Sequence, residues 1–196
     1  GYYIGRFGPG DKESTDSKTM RAEGANQENT ITIKKDQVPY NYITQVNART
    51  KAEGMDETQQ YATATTKLVS SYAWDTAISF IQIKNSDYGT NSPEGNYSNS
   101  DTFTYTDIAG DTQTGPTDEL IPTGQTTKVS NIYDMGGNLY EYITESYSLG
   151  SSLYVLRGGN YYTNYGGNPA GDRLTYSGGA SSIYGFRVTL YCSTES

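Results

Sequence analysis

The stretch that decides the fold lies in the C-terminal third of the chain, where residues 131–142 read NIYDMGGNLYEY. This stretch turns twice and then runs into strand-forming residues. Two further strands are predicted behind it, at residues 154–157 (YVLR, followed by Gly158-Gly159) and at residues 184–191 (YGFRVTLY). Turns and short strands therefore dominate this part of the chain.

Three fragments of this region together resemble a known family. They are residues 131–142, residues 156–161 (LRGGNY) and residues 185–187 (GFR). The formylglycine-generating enzyme (sulfatase-modifying factor) superfamily has, in the same order, Asn-x-x-Asp-Met-x-Gly-Asn-Val-Trp-Glu-Trp, Arg-Gly-Gly-Ser-Trp and Gly-Phe-Arg. The opening residues 2–7 (YYIGRF) look like the first strand of that family. Tyr residues at 140 and 142 replace two family Trp residues, which keeps the aromatic packing and adds hydroxyl groups.

The resemblance implies a C-type-lectin-like α+β fold, with a small twisted antiparallel sheet, two helices and long ordered loops. The residues themselves predict two helices. In the first, Thr44 is the cap and Gly54 the stop, and the apolar residues that follow the cap are Val46, Ala48 and Ala52. In the second, Ser70 or Ser71 is the cap, and the core face at i, i+3, i+4 and i+7 consists of Trp74, Ala77, Ile78 and Ile81.

Short strands and long polar segments account for the rest. Strands are predicted at residues 2–7, 31–33 and 102–106, and residues 11–30 are expected to form a solvated loop. The 196 residues suit one domain over residues 1–196. Because the chain starts with Gly and not with Met, the sequence leaves open that it is the C-terminal part of a longer protein.

Composition excludes several classes of function. With 14 Lys and Arg against 22 Asp and Glu, the net charge of −8 disfavours nucleic-acid binding, and no apolar run is long enough for membrane insertion. The chain has one Cys and no His. A Cys/His zinc site and a triad with a His base are therefore impossible. The 20 Tyr residues favour a folded chain with a polar core, since each ring buries a large area while its hydroxyl stays wet.

The chemistry of the resembling family is missing from this chain. The oxidase of that family holds copper on a pair of cysteines shortly after Arg-Gly-Gly, whereas residues 160–168 read NYYTNYGGN here. Cys192 follows the last strand and does not replace a pair. The related non-haem iron sulfoxide synthases need a His-based iron site. We therefore predict that the chain is not an enzyme and has no catalytic cofactor.

The same fold serves proteins that only bind, including the variable proteins of diversity-generating retroelements. Their C-terminal stretch before Gly-Phe-Arg is rewritten at adenines, which turns Asn codons into Asn, Tyr, Ser, Thr, Asp or Gly codons. Residues 160–184 use largely that set, which also suits adaptable recognition. The predicted contact residues are Asn160, Tyr162, Asn164, Tyr165, Asn168, Tyr176, Ser182 and Tyr184.

The resemblance thus predicts a ligand-binding protein at a cell surface, in the secreted fraction or on a phage particle. Its partner would be a protein or glycan on a cell surface. One alternative is that residues 160–184, called the tract from here on, form only a polar loop in a chain rich in Tyr, Asn and Ser. A second is that the chain is an enzyme of the superfamily with unrecognised chemistry. A third is that it is a structural or phage decoration protein.

Two arginines are interpreted as structural. Arg157 and Arg187 are expected to pair with carboxylates, with Asp134, Glu141 and Asp172 as the candidates.

A calcium site is the one metal site that the resemblance implies. Asn138 and Glu141 match positions near which the family binds Ca²⁺, and their oxygen atoms are of the hard type that this ion prefers.

Overall fold

The computed structural model describes residues 1–14, 21–126, 129–148 and 152–192. Its helices are α1 (Gln45–Glu53), α2 (Met55–Gln59) and α3 (Ser71–Gln82). Its strands are β1 (Tyr3–Ile4), β2 (Gly10–Asp11), β3 (Ile31–Thr32), β4 (Ala64–Leu68), β5 (Phe103–Thr106), β6 (Thr112–Gly115), β7 (Tyr140–Ser146), β8 (Tyr154–Arg157), β9 (Leu174–Tyr176), β10 (Tyr184–Phe186) and β11 (Val188–Cys192). The architecture is mixed α+β, as predicted.

A four-stranded sheet in the order β10-β7-β8-β9 forms the centre. Strands β7, β8 and β9 pair antiparallel, but β10 lies parallel to β7, with Tyr184 opposite Tyr140. The antiparallel sheet that the resemblance implies therefore carries one parallel pair, at its β10 edge. A second, antiparallel sheet has the order β1-β11-β4, and two short ribbons pair β2 with β3 and β5 with β6.

The strand predicted at residues 184–191 is two strands that belong to different sheets. They separate at Arg187, which is fully buried. Its guanidinium binds Glu141 on β7 as well as the backbone oxygens of Gly5 and Tyr133. The chain therefore changes sheets at a residue whose side chain is held inside the protein, which alternation of residue types in the sequence does not reveal.

Both predicted helices are confirmed together with their caps. The Thr44 hydroxyl accepts from the amide of Asn47 at 3.3 Å, and the helix ends at Gly54. Ser70 is the cap of α3 and accepts from the amide of Ala73 at 3.1 Å. Within α1, however, Val46 points to solvent with 59% exposure, so it does not join the buried Ala48 and Ala52. The short helix α2 was not predicted.

The two helices cover opposite faces of the four-stranded sheet. Tyr142 on β7 packs in a core cluster that includes the buried alanines of α1. The next residue, Ile143, packs in a second cluster with Trp74 and the rest of the buried face of α3. This is the alternation expected of a strand that is buried on both sides.

The polar segment predicted as a solvated loop at residues 11–30 contains a buried ion pair. Arg21 Nε lies 2.7 Å from the Asp11 carboxylate, and both side chains are almost completely buried. The guanidinium also lies over the ring of Tyr40, 3.8 Å from its centre. The prediction of a solvated loop was therefore wrong for Asp11 and Arg21, because their opposite charges pair with each other in the protein interior. Residues 15–20 lie outside the described part of the chain.

Candidate binding surface

The polar residues of the 131–142 stretch hold the long loops in place. The Asp134 carboxylate accepts from the Gly124 amide at 2.6 Å and from the Thr126 hydroxyl at 2.7 Å. Gly137 allows a close approach, since it has φ +67° and a Cβ there would lie 2.4 Å from the Asn96 carbonyl oxygen. Loops with few apolar residues are thereby ordered through buried hydrogen bonds.

The prediction for the two arginines is confirmed in part. Arg187 pairs with Glu141 through two contacts of 2.7 and 2.9 Å, as expected. Arg157 instead pairs with Asp75 on α3 and donates to the Gly171 carbonyl. The three candidate partners named from the sequence were wrong for Arg157, since a helix that is distant in the chain supplies its carboxylate.

Burial raises the pKa of Glu141 to about 7, although Arg187 acts in the opposite direction. Burial also raises the pKa of Asp134, which lies near the same guanidinium. The two acids line a cavity of only about 20 Å³, which is room for about one water molecule. Both acids are therefore buried beside a space of about one water molecule.

The predicted calcium ligands make structural hydrogen bonds in this structure. Asn138 Oδ1 accepts from the Ile121 amide at 3.0 Å and from Asn96 at 3.3 Å, while its Nδ2 donates to the Ile121 carbonyl. Both carboxylate oxygens of Glu141 are taken by Arg187. Among the described residues, no group of three or more Cys, His, Asp or Glu is placed to hold a metal ion. The side-chain oxygens of Asn138 and Glu141 are thus already bonded to protein donors.

A turn of polar residues occupies the place at which the family resemblance implies copper-binding cysteines. Asn160 is buried, and its side-chain oxygen accepts from the amides of Tyr162 and Thr163 at 2.8 and 3.2 Å. Cys192 is exposed at the end of β11, in the other sheet. The donor set for Cu(I) is therefore missing, and the turn displays other side chains in its place.

The eight predicted contact residues fall into three classes of exposure. Exposed residues are Tyr162, Asn164 and Tyr176; half-buried residues are Tyr165, Asn168 and Ser182; buried residues are Asn160 and Tyr184. The two buried residues were wrongly predicted as contacts. The side-chain oxygen of Asn160 accepts a hydrogen bond within the turn, and Tyr184 packs in the core cluster beneath α1.

Tyrosine rings that pack against each other at tilted angles support the exposed part of the tract. The ring of Tyr162 lies 4.3 Å from that of the buried Tyr161, and the ring of Tyr176 lies 4.9 Å from that of Tyr184. Burial raises the pKa of Tyr184 to about 12 and that of Tyr140 to about 12. These hydroxyls stay neutral at ordinary pH and act as hydrogen-bonding groups.

The remaining tract residues are fixed by neighbouring loops. The Tyr165 amide donates to Asn99 Oδ1 at 3.0 Å, and Asn168 Nδ2 donates to the Asp172 carboxylate at 3.0 Å. Asn164 accepts from the Gly167 amide at 2.6 Å while staying exposed. The tract is thus held by many local bonds, which suits a preorganised surface. The part that Asn99 plays was not predicted.

The family is decided by the sulfatase-modifying factor enzyme 1-like domain model, which matches residues 12–191. The chain belongs to the sulfatase-modifying factor family. A comparison with curated protein sequences finds no match. Within the described residues, no helix has the length and apolar character needed to cross a membrane.

Several solved structures share the fold of this chain. Treponema denticola variable protein 1 is 13% identical, with a TM-score of 0.55 over 80% of this chain and 71% of that one. CarF is 16% identical, with a TM-score of 0.54 over 80% and 68%. PvdO from Pseudomonas aeruginosa is 14% identical, with a TM-score of 0.59 over 96% and 80%. The chain therefore has the sulfatase-modifying-factor, C-type-lectin-like fold, and a variable protein is among the proteins that share it.

Proposed function

We propose that this protein is a non-catalytic ligand-binding member of the sulfatase-modifying factor family. The observation that carries the proposal is the turn after Arg157-Gly158-Gly159. Where the oxidase of the family has its cysteines, this chain displays Tyr162 at 62% exposure, with its ring packed against that of the buried Tyr161. A large, rigid side chain with one polar end gives contact area at a low cost in conformational entropy.

The binding surface consists of the exposed and half-buried members of the tract. They are Tyr162, Asn164, Tyr165, Asn168, Tyr176 and Ser182. The proposed partner is a protein or glycan on a cell surface, and the proposed location is a cell surface, the secreted fraction or a phage particle. The composition of residues 160–184 and the fold shared with a variable protein support the further hypothesis that a diversity-generating retroelement rewrites this tract.

The test measures binding of the full chain to two probes, an array of bacterial surface glycans and a displayed library of linear peptides about ten residues long, the length of a long β-strand. Every binder is then measured on a Tyr162→Ala/Tyr176→Ala variant and on Tyr72→Ala. Tyr72 is the matched control, because it is 78% exposed on α3 outside the tract. Thermal unfolding verifies that all the variants are folded.

The proposal predicts binders that lose at least about tenfold in affinity on the double variant, as expected when interface aromatic anchors are removed, and that keep their affinity on Tyr72→Ala. Binders with the same affinity for the double variant as for the unmodified chain would contradict the proposal. Turnover of a bound probe would favour an enzyme with unrecognised chemistry, and large assemblies in sedimentation would favour a structural or decoration protein.

A further inference from the structure

Strand β9 is the outer strand of the four-stranded sheet and borders the proposed binding surface. It pairs with β8 on one side, and no strand of the described chain lies on the other. All three of its residues are exposed, Leu174 by 37% and Tyr176 by 42%. An exposed edge of this kind presents unpaired backbone groups.

The direction of these backbone groups follows from the register. The Tyr140 amide donates to the Ile183 carbonyl on the β10 side of β7, so by alternation the backbone groups of Glu141 face β8. Glu141 lies opposite Arg157, whose backbone groups therefore face β7. It follows that Leu156, the next residue along β8, faces β9.

The same alternation assigns the groups of β9. Leu156 lies opposite Leu174 and Tyr154 opposite Tyr176, so these two residues of β9 bond to β8. The N–H and C=O of Thr175, between them, point away from the sheet. Within the described residues, these two groups of Thr175 meet no protein hydrogen-bond partner.

We propose that this edge binds an extended segment of a protein ligand, which adds as a further strand beside β9 and pairs with the backbone of Thr175. The inference rests on the proposed function and narrows its partner from protein or glycan to protein. An extended peptide offers an N–H and a C=O at the spacing that one outward-facing residue requires, and pairing of this type is a recurrent mode of peptide recognition.

Side chains on either side of Thr175 supply the contact area. Leu174 and Tyr176 lie on the same face of the sheet, since residues two apart in a strand share a face. The Tyr176 ring is braced against Tyr184, which joins the edge to the tyrosine support of the tract. Because β9 has only three residues, it offers one outward pair of backbone groups, and a short edge of this kind limits unspecific self-association.

The experiment uses the displayed peptide library and the glycan array described above, with the full chain and two further variants. Thr175→Pro removes the outward N–H, and proline is tolerated in an edge strand where the N–H faces solvent. Thr175→Val is the matched control, because it keeps the N–H and the branched side chain. Thermal unfolding establishes that both are folded.

The proposal predicts selected peptides whose affinity falls about tenfold on Thr175→Pro, the loss of about one hydrogen bond and its desolvated partner, and is unchanged on Thr175→Val. A second measurement does not depend on a variant. Hydrogen exchange of the Thr175 amide in the unmodified protein, followed by NMR, slows when such a peptide binds.

Two results would overturn the edge proposal and leave the proposed function intact. One is that peptides bind Thr175→Pro as well as the unmodified chain and leave the Thr175 amide unprotected. The other is that glycans alone bind, in a way that depends on Tyr162 and Tyr176. If neither probe binds in a tract-dependent way, both the edge proposal and the proposed function fail.

Discussion

Arg187 and Glu141 form a two-contact ion pair of 2.7 and 2.9 Å that is almost completely shielded from solvent. Arg187 lies where the chain leaves one sheet for the other, and Glu141 lies on β7, which begins inside the 131–142 stretch. The same guanidinium also binds the carbonyl oxygens of Gly5 and Tyr133. One side chain therefore connects the residue that follows β1, the central sheet and the loop at Tyr133.

Replacing Arg187 should destabilise the protein strongly. We expect Arg187→Ala to lower the free energy of unfolding by about 3 kcal/mol or more, because it leaves a carboxylate and two carbonyl oxygens buried without a donor. Urea denaturation measures this. The control is Arg49→Ala, which removes an exposed pair with Glu53 on α1 and should cost less than about 0.5 kcal/mol. Similar losses of unfolding free energy in the two variants would show that the buried ion pair stabilises the protein no more than the exposed one.

The buried acids should make stability depend on pH. Burial raises the pKa of Asp134 and of Glu141, that of Glu141 to about 7. The folded state therefore keeps a proton that the unfolded state releases at lower pH. A raised pKa in the folded state stabilises the protein below the unfolded value and loses that contribution as the pH rises toward 7.

We expect the contribution of Glu141 to the free energy of unfolding to fall between about pH 4.5 and 7, by at most about 1.4 kcal/mol per pH unit. Urea denaturation at several pH values in this window measures the slope. Glu141→Gln removes the titrating group and keeps the size of the side chain, so its slope should be smaller. Equal slopes in the two proteins would mean that Glu141 does not carry the proton.

Calcium should not stabilise this protein. The side-chain oxygens of Asn138 and Glu141 are already bonded to protein donors, so binding would require those bonds to break. We expect the same melting temperature in excess EDTA and in excess calcium chloride, since an ion that bound the native state would raise it by mass action. A calcium-dependent rise that is lost in Asn138→Ala would restore the site implied by the family resemblance.

The sequence predicted the parts of the fold that rest on local rules. Thr44, Gly54 and Ser70 marked helix ends because caps depend on neighbouring backbone groups. It did not predict that Arg157 pairs with Asp75, or that Asp11 and Arg21 bury each other, because both pairings join segments that the fold brings together.

The candidate binding surface likewise has features that the sequence predicts and features that only the fold determines. Composition located the tract, but only packing separates Tyr162, which is displayed, from Tyr184, which lies in the core. Both belong to the same residue type in the same stretch, so no pattern of residue types could distinguish them. The outward backbone groups of Thr175 also depend on the register between strands, which the sequence does not show.

The distinction between displayed and buried tyrosines gives a test of the retroelement hypothesis. If the tract is rewritten at adenines, differences between related isolates should be concentrated at the exposed Tyr162, Asn164 and Tyr176. Tyr184 should stay aromatic, since it packs in the core, and Asn160 should stay Asn, since its side chain holds two amides of the turn.

Sequencing the locus and its neighbours from many isolates measures this pattern. A near-copy of the segment coding for residues 156–186, differing at adenines and lying beside a reverse transcriptase gene, is the expected companion. The long polar stretch at residues 84–126 serves as the internal control, because it has a similar composition but lies outside the tract. Equal variation in the two stretches would contradict the retroelement hypothesis and leave a binding surface of fixed sequence, for which the tyrosine variants remain the decisive test.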